Sequence, residues 1–398
     1  MKNIVMIHLE SLNKDLLFHS MEAFPNIKRF IAEGIYFNNY WSTATSTIMA
    51  MSDNVYGCHE CSDRSSDLVH FNLEKNAVKW MDKLGGGQIS GSCMIYPCFD
   101  WRYDTINVRA ILKDNIEISQ YSSDKVFWED ISQYIGEMNG SFLYVCDWTS
   151  VCTRQHLHKR GGTWNDYYRQ LYKHIDDTVG YVYSALEKAG KLDNTIIVLY
   201  GDHGDDMYSY GLKKGFTHAI EPFPKLIGTP LIVYQAGIHR RDPGLVCTYD
   251  IGNIVKALLS GKEININRKY VFSRNLFPSQ NSDLLNKGFS VTNGEYLFLI
   301  TQYGMELYNC SFISLSSFNL LNWFVLKRDG KIDVRKNEGL HFQRFILNQQ
   351  NDIAHNFEVL RRKMYTELQS LIGKELLGRD SLRWFRKIRY DKWQRSIQ

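Results

Sequence analysis

Apolar segments of strand length alternate with amphipathic segments of helix length over the first 260 residues of this chain. The strand-like segments, rich in β-branched and aromatic side chains, are residues 4–9, 141–146, 195–200 and 231–234. Between them, residues 25–34 and 164–190 repeat apolar side chains at spacings of three and four, which is typical of amphipathic helices. Such alternation predicts an α/β fold in which helices flank a mostly parallel sheet.

The pattern changes after about residue 268, where short strand-like segments are separated by turn residues. This change predicts a small antiparallel sheet, followed by a helical tail. We therefore expect a main domain over residues 1–268, a small β subdomain over residues 269–335, and a helical segment with a basic aromatic tail over residues 336–398.

Charge and hydropathy limit the partners that this chain of 398 residues is expected to have. A formal charge of +4 is too small to predict nucleic-acid binding. No apolar run reaches the length of a membrane span, and the N-terminus lacks a signal-peptide pattern, so the expected location is cytoplasmic.

The last 22 residues carry seven Lys and Arg against two Asp, with aromatic side chains between them. Segments of this kind lie on anionic membrane surfaces, which predicts peripheral contact with the inner face of the membrane. A solvated tail, or a helix packed on the body of the protein, is the alternative.

Two strand-like segments end in potential metal ligands. Asp202 and His203 follow residues 195–200 and lie between Gly201 and Gly204, and Glu10 follows the first strand. Because open α/β sheets bind ligands at the carboxyl ends of their strands, this carboxylate–imidazole pair indicates metal ligation. A polar turn and a solvated loop acid are the alternatives.

A segment rich in hydroxyl groups, residues 42–47, precedes a helical-looking stretch at residues 48–51. One interpretation is an ordinary Ser/Thr helix cap. The other is a hydroxyl nucleophile at a helix N-terminus, where backbone N–H groups favour a bound phosphate or sulfate.

Taken together, these motifs resemble the sulfatase/alkaline phosphatase superfamily in order and spacing. Residues 25–39 are similar to the sulfatase segment that leads to the nucleophile, and counting on from Phe37 places the nucleophile at Thr47. Threonine is not converted to formylglycine, so sulfate-ester hydrolysis by that route is not expected. Residues 45–47 instead resemble phosphoethanolamine transferases, and residues 53–57 resemble lipoteichoic acid synthases; both branches use a threonine nucleophile.

The resemblance implies that the main domain is a metal-dependent catalytic domain. It implies a divalent ion, zinc or manganese, in one or two copies, held by Glu10, Asp202 and His203 with Thr47 as the fourth ligand. Thr47 would attack through a phospho-threonine intermediate. Further candidate residues for stabilising charge, for acid–base catalysis or for a second metal ion are Lys214, His218, His156 and His158.

The function expected on this basis is a phosphotransferase or phosphodiesterase that modifies a cell-surface glycan or lipid. Its donor would be a phosphoester or phospholipid, and its acceptor a glycan. One alternative is a sulfatase-like hydrolase of phosphate, phosphonate or sulfate esters, and another is a non-catalytic binding protein with the same fold. The two threonine branches carry membrane helices and act outside the cell, and nothing in this sequence matches those helices.

Overall fold

The computed structural model describes residues 2–57, 89–92, 104–106, 125–140, 142–146, 164–205, 218–242, 244–275, 288–301, 305–310, 327–328 and 331–332, together with Lys363 and Thr366. Its main sheet has eight strands. In the order in which they lie side by side, they are β5 (Asp104–Ile106), β4 (Ile89–Ser92), β6 (Phe142–Cys146), β1 (Asn3–His8), β7 (Thr195–Tyr200), β8 (Leu231–Tyr234), β2 (Ile35–Phe37) and β9 (Arg240–Asp242).

Neighbouring strands of this sheet are parallel except where β8 is involved, since β8 runs antiparallel to both β7 and β2. A separate parallel pair is formed by β3 (Tyr40–Trp41) and β10 (Val246–Cys247). The predicted class, a mostly parallel sheet in an α/β fold, is confirmed, with β8 as a local reversal that the sequence pattern did not indicate.

Helices cover both faces of the main sheet. The helices of the described chain are α1 (Lys14–His19), α2 (Pro25–Glu33), α3 (Thr47–Tyr56), α4 (Lys125–Glu137), α5 (Trp164–Lys188), α6 (Pro224–Ile227) and α7 (Ile251–Leu259). Val5 and Ile7 of β1 pack into a core with α2, α4 and α5, whereas Ile4 and Met6 face a second core with α7. Because both faces of the strand are buried, β1 is apolar at every position between its ends.

The smaller sheet is antiparallel and consists of β11 (Val271–Asn275), β12 (Gly288–Thr292), β13 (Tyr296–Thr301) and β14 (Met305–Asn309). It confirms the antiparallel sheet expected after residue 268. A two-stranded ribbon, β15 (Lys327–Arg328) and β16 (Lys331–Ile332), follows it. Of the expected helical tail, Lys363 and Thr366 are helical, and the rest lies outside the described residues, as does the basic aromatic segment. The domain boundaries remain predictions.

No helix in the described part of the chain combines the length and the apolar character needed to cross a membrane. The longest, α5, is amphipathic, with Ile175, Val179 and Val182 in the core and Tyr181 on the surface. Helix α5 also stabilises the start of α2, because the Asp176 carboxylate accepts a hydrogen bond from the backbone N–H of Ile27, in the first turn of α2, at 2.9 Å.

A buried ion pair joins the smaller sheet to α3. The guanidinium of Arg274 on β11 donates two hydrogen bonds to the carboxylate of Asp53, at 2.7 and 2.9 Å, and both side chains are fully buried. The same carboxylate accepts a hydrogen bond from the Thr43 hydroxyl at 2.5 Å. In addition, the backbone N–H of Arg274 donates to the Thr43 carbonyl oxygen at 3.0 Å. The smaller sheet therefore holds both α3 and the segment that leads into it.

Replacing Arg274 with alanine should lower the free energy of unfolding by about 3–5 kcal/mol, because the Asp53 carboxylate stays buried without its cation. Urea denaturation followed by circular dichroism measures the change. Lys173→Ala is the matched control: it breaks an exposed pair with Asp177, and should change the free energy by less than about 1 kcal/mol. Similar small effects of both substitutions would show that the buried pair does not hold the smaller sheet to α3.

Candidate metal and nucleophile site

The site lies where β1 and β7 end. These strands run parallel with His8 opposite Tyr200, and the backbone N–H of Leu9 donates to the Tyr200 carbonyl oxygen at 2.8 Å. Glu10 leaves β1 and Asp202 leaves β7 at the same edge of the sheet, and each exposes no more than 1% of its surface. Parallel pairing in this register therefore brings two carboxylates, 192 residues apart in sequence, into one buried cluster.

The turn after β7 depends on two glycines because the backbone passes close to its neighbours there. A β-carbon at Gly204 would lie 2.2 Å from the carbonyl oxygen of Lys225, and one at Gly201 would lie 2.8 Å from the side chain of Thr229. The side-chain amide of Asn13 also stabilises the turn, by donating a hydrogen bond to the Asp205 carbonyl oxygen at 3.0 Å. This close packing fixes Asp202 and His203 between the two glycines.

Backbone strain is stored on both sides of the site. Within the described residues, the two non-glycine residues with positive φ are Ser11, at 58°, and Ala219, at 54°. Ser11 directly follows Glu10, and Ala219 directly follows His218. A left-handed conformation costs a non-glycine residue about 1–3 kcal/mol, and such residues concentrate at functional sites.

Thr47 reaches the cluster from α3, of which it is the first residue. Its hydroxyl lies 2.9 Å from His203 Nε2 and 3.4 and 3.5 Å from the two carboxylate oxygens of Glu10. The structure thus brings together Glu10, Thr47, Asp202 and His203, the four residues that the family resemblance predicts as metal ligands. Their roles as ligands remain predictions.

The segment before Thr47 is held by hydrogen bonds on both sides. The Thr45 hydroxyl donates to the Ile220 carbonyl oxygen at 2.6 Å, and the Ala219 N–H donates to the Thr45 carbonyl oxygen, also at 2.6 Å. Ser46 is extended and precedes the helix, so the first N–H groups of α3 are directed toward the end that carries Thr47. Such a helix end favours a bound anion.

The protonation of His203 follows from its hydrogen bonds. Its Nδ1 lies 3.0 Å from the Gly204 carbonyl oxygen, which only accepts, so Nδ1 carries the hydrogen and Nε2 presents a lone pair. Burial lowers the pKa of His203, and a neutral ring is consistent with this. The Thr47 hydroxyl is therefore the donor in its hydrogen bond to Nε2.

A metal ion fits this arrangement of acceptors. His203 Nε2 lies 3.2 Å from Asp202 Oδ2, and that buried oxygen has no hydrogen-bond donor among the described residues. Burial raises the pKa of Asp202, but the neighbouring His203 and His8 more than offset it, so the pKa falls and the carboxylate is ionised. Two carboxylates and a lone pair that converge in a buried site call for a cation, and a divalent ion would balance the two negative charges.

His8 is a member of the cluster that sequence reasoning missed. Its Nε2 lies 3.0 Å from Asp202 Oδ1 and 3.3 Å from Glu10 Oε2. His8, Glu10 and Asp202 each offer a ligand atom within 4.8 Å of the other two, so they could hold one ion. Burial lowers the pKa of His8, but Asp202 and Glu10 outweigh that effect and raise it. No local signal pointed to His8, because β1 ends there and Glu10 lies in the turn that follows.

His218 stands at the edge of the site. Its ring stacks on that of His203 with centroids 4.5 Å apart, and its Nδ1 lies 3.1 Å from Asp205 Oδ1. Asp205 is fully buried and therefore fixes the orientation of the His218 ring, a partnership that the sequence did not indicate. The other predicted residues, Lys214, His156 and His158, lie outside the described residues.

Comparison with known proteins gives two kinds of match. The Sulfatase family model matches residues 99–279, a segment that includes Asp202, His203 and His218. The chain is also 21% identical over 348 residues to the lipoteichoic acid synthase of Staphylococcus aureus. That alignment covers 74% of this chain and 51% of the synthase, so the chain spans about half the length of the curated relatives it matches.

Solved structures agree with these matches. A 2-O GAG sulfatase superposes with a TM-score of 0.66 at 16% identity, covering 92% of this chain and 94% of that one. The phosphonate monoester hydrolase of Agrobacterium radiobacter superposes with a TM-score of 0.62 at 12% identity, covering 94% and 96%. The predicted resemblance to the sulfatase/alkaline phosphatase superfamily is confirmed. The fold of this chain is alkaline phosphatase-like, and at these identities the solved structures establish the fold alone.

Proposed function

We propose that this chain is a metal-dependent phosphotransferase that uses Thr47 as its nucleophile. The observation that carries the proposal is the position of the Thr47 hydroxyl, 2.9 Å from His203 Nε2 and within 3.5 Å of both Glu10 oxygens, at the first residue of α3. A threonine that only capped the helix would have no need of a buried carboxylate and an imidazole beside its hydroxyl.

Glu10, Asp202 and His203 would hold the ion, with the Thr47 oxygen as a further ligand. When bound, a divalent ion lowers the pKa of a coordinated hydroxyl and offsets charge on phosphoryl oxygens. The residues of the chain supply the positioning: α3 aims the Thr47 oxygen at the cluster, and its N-terminal N–H groups favour the phosphoryl group of the donor.

With its pKa lowered by the bound ion, the Thr47 hydroxyl would release its proton to solvent and stay an alkoxide in the resting enzyme. In the first step the Thr47 oxygen would bond to phosphorus as the bond from phosphorus to the leaving alcohol breaks. In the second, an acceptor hydroxyl would bond to the same phosphorus and the Thr47 oxygen would leave as the alkoxide it was at the start, so that the enzyme is restored. His218, oriented by Asp205, would give a proton to the first leaving group and take one from the acceptor. We infer a phosphoester or phospholipid donor and a glycan or lipid acceptor, supported by the similarity to a lipoteichoic acid synthase.

Hydrolysis is the second candidate, and the similarity in fold to a phosphonate monoester hydrolase favours it. The same residues would act, and water would replace the acceptor hydroxyl in the second step.

Substituting Thr47 by valine keeps the shape of the side chain and removes its oxygen. We expect cleavage of a chromogenic phosphodiester to fall by at least about 10³-fold, because no nucleophile remains. Thr47→Ser should retain part of the activity. Peptide mass spectrometry after rapid acid quench should find the transferred group on Thr47 in the wild-type protein.

Thr195→Val is the matched control for this experiment, since Thr195 begins β7 at the opposite edge of the sheet from the site. It should leave both cleavage and labelling unchanged. Full activity in Thr47→Val would remove the basis of the proposal.

Transfer and hydrolysis differ in where the phosphoryl-linked group goes. With an anionic glycerophospholipid as donor and a glycolipid as acceptor, we expect the group to appear on the acceptor in an amount that rises with acceptor concentration. Mass spectrometry of the lipid products measures this. Release of the free group at a constant rate, whatever acceptor is present, would favour the hydrolase.

We also propose that the basic aromatic segment near the C-terminus brings the protein to an anionic membrane surface, where lipid substrates lie. Deleting residues 379–398 should reduce co-sedimentation with vesicles that contain phosphatidylglycerol. Vesicles of phosphatidylcholine are the control, because binding to them should be weak with or without the segment. Equal sedimentation of both proteins with anionic vesicles would exclude this role.

A further inference from the structure

We propose that His8 is a direct ligand of the ion, and that the resulting pair of imidazole donors sets a preference for zinc over manganese. The inference rests on the proposed function, because it concerns the ion that Glu10, Thr47, Asp202 and His203 would hold. It goes beyond that function by adding His8 as a fifth protein ligand and by assigning to it the preference for zinc over manganese.

The first argument is the position of His8 relative to the carboxylates. His8 Nε2 lies against Asp202 Oδ1, and His203 Nε2 lies against Asp202 Oδ2, at 3.0 and 3.2 Å. The two imidazoles also approach different oxygens of Glu10, at 3.3 Å from His8 and 3.9 Å from His203. His8 thus occupies, on one side of the carboxylates, a position equivalent to that of the predicted ligand His203 on the other.

The second argument is that the His8 ring is held in place. It stacks on the ring of Tyr200, with centroids 5.3 Å apart and planes 16° from parallel. Tyr200 is in turn fixed by a hydrogen bond between its hydroxyl and that of Tyr144, at 2.8 Å. The His8 side chain has no exposed surface. A ring fixed in this way presents Nε2 to the carboxylates without loss of side-chain freedom when a ligand binds, which is the usual design of a metal site.

The third argument concerns the choice of ion. Carboxylate and hydroxyl oxygens suit magnesium and manganese, whereas imidazole nitrogens favour zinc and other later transition metals. With His203 as the single nitrogen donor, the set is mainly oxygen. With His8 added, two nitrogens face two carboxylates and a hydroxyl, and the balance shifts toward zinc.

The experiment counts imidazole ligands by zinc K-edge X-ray absorption on the full chain loaded with one equivalent of Zn²⁺. The wild-type protein should show two imidazoles and the His8→Gln variant one. His218→Gln tests whether the ring at the edge of the site supplies the second nitrogen, and it should still show two. His239→Gln is the matched control, because His239 is exposed, and it should also show two.

A competition measurement separates a ligand from a positioning residue. His8→Gln should weaken Zn²⁺ binding by about 10-fold or more while changing Mn²⁺ binding much less, as measured with chelators of known affinity. A residue that only positioned Asp202 would weaken both ions alike, and that result would overturn the inference. So would one imidazole in the wild-type protein, a measurement that needs no variant to fold.

The outcomes also distinguish this inference from the proposed function. One bound ion with one imidazole would refute the role of His8 and leave the Thr47 mechanism standing. Failure to bind either Zn²⁺ or Mn²⁺ would refute both.

Discussion

The burial of two carboxylates side by side is the constraint on which the rest of this structure depends. Glu10 and Asp202 are buried at the carboxyl ends of β1 and β7, where an uncompensated negative charge costs much free energy. Imidazoles approach them from both sides, and the Thr47 hydroxyl lies within reach of Glu10. The arrangement needs positive charge to compensate it, which supports the proposal of a divalent ion at this site.

The main sheet positions the two carboxylates, and the turn after β7 positions His203. Parallel pairing of β1 with β7 sets the distance between the carboxylates, and hydrogen bonds across the strand ends leave it little freedom. The turn that carries His203 is pressed against α6 so closely that only glycine fits at position 204. Rigid strands and a tightly packed turn thus hold the acceptors in place, as preorganised catalysis requires.

The smaller sheet stabilises the helix that carries Thr47. β11 donates a backbone hydrogen bond to the segment before α3, and Arg274 binds Asp53 within α3 itself. Thr47 is therefore held in place by the smaller sheet, and the two carboxylates by β1 and β7 of the main sheet. A site built from both explains why the smaller sheet packs against the hydroxyl-rich segment.

Sequence reasoning found what depends on local pattern. Buried strands appeared as apolar runs, and Asp202 and His203 were found because they follow one of them directly. Thr47 is different: residues 42–47 offer several hydroxyls with no local signal to choose between them, and only the family resemblance selected one. The pairing of Arg274 with Asp53 spans 221 residues and leaves no mark in either segment.

His8 and β8 show two further reasons why prediction stopped short. His8 was counted as part of a strand, and its side chain became meaningful only when the register with β7 was known. The direction of β8 depends on how the chain returns to the sheet, and an apolar run of four residues reads the same in either direction.

The pattern of exposure determines how the proposed chemistry must proceed. His8, Glu10, Asp202 and His203 are closed off, with 2% or less of their surfaces exposed, whereas the His218 side chain is 31% exposed. We therefore propose that donor and acceptor both enter from the side of His218. In-line displacement places the leaving group opposite the Thr47 oxygen, and the acceptor must later attack from that same position.

One residue, His218, can then serve both steps, as a proton donor in the first and a proton acceptor in the second. In the proposed mechanism, water and an alcohol would compete for this single position. In the proposed mechanism the choice between hydrolysis and transfer would be made by the surroundings of His218, and not by the buried ligands, which would be the same in either enzyme.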